Sequence, residues 1–183
     1  MSHISLLCIL ADGFEEIEAV TIIDLLRRAD INVTIAGVGK RQIKGSHQIQ
    51  INCDVRFEDV DEDHFTHLFL PGGQPGTDNL KKNKLVIDFI RRFNNSQKVI
   101  AAICAAPTVL NEAGIIDNYR ITSYPAEKDV FVDSIYIEDD IVHDKNIITS
   151  RGVGTAIKFA LYLIENFTNK ETGQLLAHRI LYQ

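Results

Sequence analysis

No apolar run in this chain approaches the ~20 residues that a membrane-spanning helix needs. Nor does it open with a basic region followed by an apolar core and a small-residue cleavage site. The expectation is a protein without membrane segment or secretion signal, resident in the cytoplasm. Positive charge is scarce: 19 Lys and Arg stand against 25 Asp and Glu, a formal net charge of -6. That balance argues against a dedicated nucleic-acid site and against membrane-surface binding, both of which need a basic patch. Cysteine is scarce too. Cys8, Cys53 and Cys104 are an odd number without CxxC spacing, so they read as free thiols in a reducing compartment. The six histidines do not cluster. His64 and His67 are close but lie in a segment without helical pattern, and His3, His47, His143 and His178 stand apart. No metal site and no cofactor are expected. Internal repeats and low-complexity segments are missing as well.

What is present is ordinary for a soluble domain: 45% hydrophobic and 24% charged residues over 183 positions, enough for one domain, 1–183, with a real core. Ile4 to Ala11 reads as a strand, Glu15 to Arg28 as a helix, and Ile31 to Ala36 as a second strand, a βαβ unit. Lys40 to Cys53 reads as a small hairpin turning at Gly45-Ser46, and Phe57 to Phe65 as an acidic loop. His67 to Leu70 is a short strand followed by Pro71-Gly72-Gly73, and Leu80 to Phe93 carries one helix. Arg120 to Ser123 and Phe131 to Val132 read as short strands, and Tyr136 to His143 as a hairpin around residues 138–140. Ile147 to Thr149 is the last buried strand. Helices follow over Ala156 to Phe167 and about Lys170 to Leu181. Alternating strands and helices predict a doubly wound, mostly parallel α/β sheet with helices on both faces. Functional groups then gather at the carboxyl ends of the strands.

The chain is organised around residues 99–110, VIAAICAAPTVL. The first half is an apolar strand buried on both faces. The second half is a helix, with Pro107 suited to its first turn. No room is left for a loop, so Cys104 falls on a sharp strand-to-helix turn, the geometry of a nucleophile elbow. Free N–H groups and the helix N-terminus would favour a thiolate there and lower its pKa. The competing reading is a small buried apolar residue, a common role for free cysteine.

Other loops carry weaker signals. Pro71-Gly72-Gly73 is either an oxyanion-binding backbone or an ordinary turn. Gly152-Val153-Gly154 precedes a helix but lacks the dinucleotide and P-loop fingerprints, so a nucleotide site is rejected. Glu15, Glu16 and Glu18 read first as a solvated helix start. Glu18, unlike its neighbours, faces the strand end. If it meets Cys104, burial raises its pKa, and the two groups titrate as a coupled pair.

Four segments together resemble the ThiJ/PfpI superfamily: LADGFEEIE over 10–18, LPGG over 70–73, AAICAAPT over 101–108 and TSRGVGT over 149–155, with Lys128-Asp129 also fitting. They run through essentially the whole chain in the same order. The resemblance implies a flavodoxin-like sandwich with a small β-hairpin excursion. It also implies a homodimer with its site near the dimer interface. Cys104 would be the reactive cysteine, Glu18 its protonated partner, and the N–H groups of Gly73 and Ala105, beside Gly72, the oxyanion pocket. The resemblance also implies that Arg27 or Arg28 reaches the neighbouring subunit's pocket, and Arg28, Arg151 and Tyr124 are further pocket candidates. Family members are described as glutathione-independent glyoxalases, as deglycases acting on methylglyoxal- or glyoxal-modified groups, and as oxidation-sensitive chaperones.

This chain departs from the pattern at Tyr124, where relatives often carry histidine. Tyrosine, with an unperturbed pKa near ~10, is a poor general base at neutral pH. The protease branch places histidine directly after the cysteine. Ala105 stands there, which argues against a peptidase.

Overall fold

The computed structural model describes residues 4–182; His3 lies outside them. In chain order the elements begin β1 (Ser5–Leu10), α1 (Glu16–Arg28), β2 (Asn32–Gly37), β3 (Gln42–Lys44), β4 (Gln50–Asn52), β5 (Val55–Arg56), β6 (His67–Leu70), α2 (Gly76–Lys82) and α3 (Lys84–Asn95). They continue β7 (Val99–Ile103), α4 (Pro107–Glu112), β8 (Arg120–Ile121), β9 (Ile135–Tyr136), β10 (Ile141–Asp144), β11 (Ile147–Ser150), α5 (Ala156–Phe167) and α6 (Lys170–Arg179).

Seven strands form the main sheet in the order β10-β11-β7-β6-β1-β2-β5, parallel except for the antiparallel edge pair β10–β11. Both faces are covered, as the continuous apolar strands require. In β1, Leu6, Cys8 and Leu10 enter the core beneath α1 and α5. Leu7 and Ile9 enter the opposite core with α3 and α4. β7 divides in the same way, Ala101 and Ile103 to one side and Ile100 and Ala102 to the other. The small residues of β7 let the flanking layers approach the sheet closely.

The topology sets the position of the site. β1 lies between β2 and β6, so successive crossovers leave it in opposite directions. A crevice forms at the carboxyl ends of the strands where that reversal occurs. The loops after β1, β6 and β7 open there side by side, because β6 pairs with both β1 and β7.

Three local expectations are corrected. The single helix over 80–93 is two, α2 and α3, because Asn83 takes an extended backbone and its side chain accepts from the N–H of Leu85 and Val86 at 3.0 and 3.3 Å. Residues 136–143 do not form a hairpin. β9 pairs in parallel with β8, while β10 turns back onto β11 through Lys145, whose φ is 53°. The intervening acids point outward, where Glu138 and Asp140 meet Lys128 and Lys158. Phe131-Val132 is not a strand, since Pro125 starts a 3-10 turn that runs through Val130 and leaves Phe131 buried after it.

Candidate active site

Cys104 follows directly on β7, and its φ is 64°, a left-handed conformation uncommon outside glycine. Its N–H donates to Ser150 O at 3.0 Å, and its carbonyl accepts from Tyr124 N–H at 2.8 Å. The neighbouring loops thus hold a strained turn in place, and the thiol is turned out of the strand half-buried rather than packed away. Cys8 and Cys53, by contrast, are fully buried, and burial pushes both thiols up.

Glu18 projects from the first turn of α1 and is fully buried. Gly72 N–H donates to its Oε2 at 2.9 Å. Oε1 is buried without a hydrogen-bond partner and faces the same space beside Gly152 as the Cys104 thiol. Burial raises the Glu18 pKa to about 7, against the opposing hydrogen bonds from Cys104 and Gly72.

The thiol itself departs from expectation. Burial first, then the charge and hydrogen bond of Glu18, push the Cys104 pKa far up, while the backbone N–H groups of Ala105 and Gly73 pull it down. Those donors and the helix terminus predict a lowered pKa, and desolvation of the turn, which no local sequence pattern carries, outweighs them. The repulsion comes from Glu18 as a carboxylate and vanishes when Glu18 carries the proton. The pair therefore shares protons, and its titration belongs to both groups.

Glycine makes the close approach possible. A methyl group on Gly72 would lie 2.6 Å from Cys104 Cβ and 2.7 Å from Glu18 Oε2. Gly73 has φ 94°, with the backbone of Phe14 and Glu15 occupying the space of a side chain. The Glu15 N–H in turn donates to Gly72 O at 2.9 Å, tying this loop to the start of α1.

The remaining candidates separate. Tyr124 stands beside the elbow, half exposed. Arg151 follows β11 and faces Glu138 and Asp140, whose carboxyls are held low mainly by Lys128 and Lys158 and to a lesser extent by Arg151. Arg28 lies ten residues beyond Glu18 on α1, about 15 Å along the helix axis, and pairs with Asp24 at 2.7 Å. Within this chain it is not part of the Cys104 site. The sequence reading missed Gly152. A methyl group there would come 3.7 Å from Cys104 Sγ, 3.7 Å from Tyr124 Cδ2 and 3.9 Å from Glu18 Oε1, so Gly152 forms a wall of the site. Its signal was present: a glycine after a parallel strand that adjoins β7. It belongs to one of the four family-like segments, 149–155, but the sequence pattern alone gives it no role beyond a rejected phosphate loop. Glu16 is also corrected. It is buried rather than solvated, with its carboxylate held by the tip of the β3–β4 hairpin.

Comparison with known proteins gives concordant results. The profile of the DJ-1/PfpI family matches residues 4–166. The chain is 43% identical to Protein dj-1beta of Drosophila melanogaster over 180 residues, 97% of this chain and 96% of that protein. It is 34% identical to Glutathione-independent glyoxalase DJR-1.2 of Caenorhabditis elegans, with 88% of each covered. The crystal structure of Drosophila melanogaster DJ-1beta matches the fold with a TM-score of 0.95 at 42% identity, over 98% of both chains.

Proposed function

The chain belongs to the DJ-1/PfpI family, and from that premise we propose that it acts on small reactive aldehydes or their adducts through Cys104 and Glu18. The observation that carries this reading is the juxtaposition of the fully buried Glu18 carboxyl and the Cys104 thiol, which flank Gly72 and Gly152 together, beside the N–H groups of Gly73 and Ala105.

In the proposed reaction the Cys104 proton resides on Glu18, leaving a thiolate. Sulfur attacks the aldehyde carbon of methylglyoxal or glyoxal and forms a hemithioacetal. The new oxyanion faces the two backbone donors. Glu18 gives its proton to that oxyanion and, now a carboxylate, takes the proton from the former aldehyde carbon as the neighbouring carbonyl oxygen is protonated from water, giving an enediol. Glu18 then returns its proton to the neighbouring carbon while the first hydroxyl loses its proton to water, giving a thioester. Water cleaves the thioester, releasing lactate or glycolate and restoring the thiol. No cofactor is required. On an adduct, the same attack followed by release of the amine or thiol is deglycase chemistry. Turnover of methylglyoxal to lactate by the purified protein tests the reading. Cys104→Ser should abolish it, and an unchanged rate in that variant would remove Cys104 from the mechanism.

A second reading is redox sensing, favoured by the contrast between partly exposed Cys104 and fully buried Cys8 and Cys53. Peroxide would oxidise the Cys104 thiolate to sulfenic and then sulfinic acid, and the same donors would hold the added oxygens. Mass spectrometry after mild peroxide should place added oxygen on Cys104 first. Equal oxidation at all three cysteines would count against it.

The proposal includes a homodimer in a reducing compartment. Ile17 and Val20 on α1 and Ile157 on α5 are each more than two-fifths exposed, an apolar strip suited to a second copy. None of the described helices is long and apolar enough to cross a membrane.

A further inference from the structure

The start of α1 and the tip of the β3–β4 hairpin bring together a second set of polar atoms that the Cys104 chemistry does not use. Glu15 Oε2, Glu16 Oε2 and His47 Nδ1 lie within 4.8 Å of one another. Nδ1 is 3.1 Å from the Glu16 oxygen and 3.7 Å from the Glu15 oxygen. Ser46 Oγ completes the group at 3.0 Å from Nδ1, 3.1 Å from Glu16 Oε2 and 3.3 Å from Glu15 Oε2. A tetrahedral zinc ion with bonds of ~2.0–2.2 Å has edges of roughly 3.3–3.6 Å between its ligand atoms. These five edges run from 3.0 to 3.7 Å, bracketing that range, and the Glu15 and Glu16 ligand atoms lie within 4.8 Å of each other, so an ion is accommodated once the two carboxylates rotate toward it.

Charge supplies an independent argument. The Glu15 and Glu16 side chains are only 13% and 5% exposed, and among the described residues no lysine or arginine pairs with either. Among the described residues their basic partner within 4 Å is His47, which is 71% exposed. Two nearly buried carboxylates without a permanent counter-charge are costly and favour a bound cation. Glu16 is also oriented as a ligand. Its Oε1 accepts from the N–H of His47 at 2.7 Å and of Ile49 at 3.3 Å, which leaves Oε2 facing Glu15 and His47.

We propose that Glu15, Glu16 and His47 bind a divalent zinc-type ion, with Ser46 Oγ or water in the fourth position. An imidazole with two carboxylates suits zinc better than calcium or magnesium, which prefer all-oxygen sites. The ion clamps the hairpin to the first turn of α1. The ligands come from segments 31 residues apart, which is why the sequence pattern carries no metal motif.

The test is zinc titration of the full-length protein with Cys104 alkylated, the buried Cys8 and Cys53 being left as thiols, followed by competition with a chromogenic chelator. One equivalent of zinc should bind, with a zinc-dependent rise in melting temperature. His47→Gln and Glu15→Gln should each weaken binding ~10-fold or more and abolish that rise, and Cys104→Ser should leave both unchanged. His47 is exposed and Glu15 lies at the helix boundary, so circular dichroism of the two variants should match the parent. Binding that is indifferent to both substitutions, or no binding at about 1 mM zinc, overturns the proposal and leaves protonated His47 as the counter-charge.

Discussion

Glu16 and Glu18 are two residues apart, both buried, and have opposite electrostatic fates. Glu16 meets backbone N–H groups, a hydroxyl and His47, and stays below the usual carboxylate range despite burial. Glu18 meets one N–H and a thiol, and burial raises it to about 7. Its folded pKa lies above the ordinary value of 4.5, so between those values the folded chain binds the proton more tightly than the unfolded chain. Stability from this group is complete below pH 4.5 and is lost as pH rises through about 7. The gap corresponds to on the order of 3 kcal/mol. Urea midpoints measured at pH 4.5 and 7.5 should therefore show a fall in the parent that Glu18→Gln lacks. The same variant removes the carboxylate beside the thiol, so the alkylation midpoint of Cys104 should move to lower pH; an unmoved midpoint would mean that the two groups titrate independently.

Two glycines at the same site should respond differently. Gly72→Ala forces a methyl group against Cys104 and Glu18 and should cost ~1–3 kcal/mol in chemical unfolding. Gly152→Ala meets its neighbours at ordinary van der Waals distance, so the fold should hold within ~0.5 kcal/mol while the added methyl narrows the space over Sγ. Aldehyde turnover is expected to fall in Gly152→Ala without a matching loss of stability.

At the scale of elements, caps and turns decide what hydrophobic periodicity leaves open. The apolar pattern over 80–93 is nearly continuous across a real boundary, and Asn83 marks it by capping α3. Asn83→Ala should cost ~0.5–2 kcal/mol by urea denaturation, with little effect on the Cys104 site. A cost near zero would mean that packing of Val86, Phe89, Ile90 and Phe93 alone sets where α3 begins. The elbow is the opposite case. An apolar strand, one cysteine, two alanines and a proline leave few alternatives, and the turn forms where the sequence places it.

At the scale of the molecule, the doubly wound order places the ends of β1, β6 and β7 next to one another, so residues 18, 72 and 104 form one site although they are far apart in the chain. The exposed strip of Ile17, Val20 and Ile157 is the surface expected to close a homodimer. Sedimentation equilibrium should give a dimer for the parent and a monomer for Val20→Glu, whose circular dichroism should be unaltered because the position is already half exposed. A monomeric parent would remove the dimer from the functional reading.

By itself the sequence determined the α/β layering, the strand that carries Cys104 and the sharp turn after it, because these depend on local hydrophobic period and on residues adjacent in the chain. It also marked Glu18 and the Gly72-Gly73 loop as partners, through the combination of four segments rather than any one of them. Only the tertiary structure decided the rest. It buried Glu16, made Gly152 a wall of the site, kept Arg28 away from Cys104 within the chain and reversed the expected shift of the thiol. Each of these depends on desolvation or proximity between segments distant in sequence, and neither quantity exists until the layers have packed.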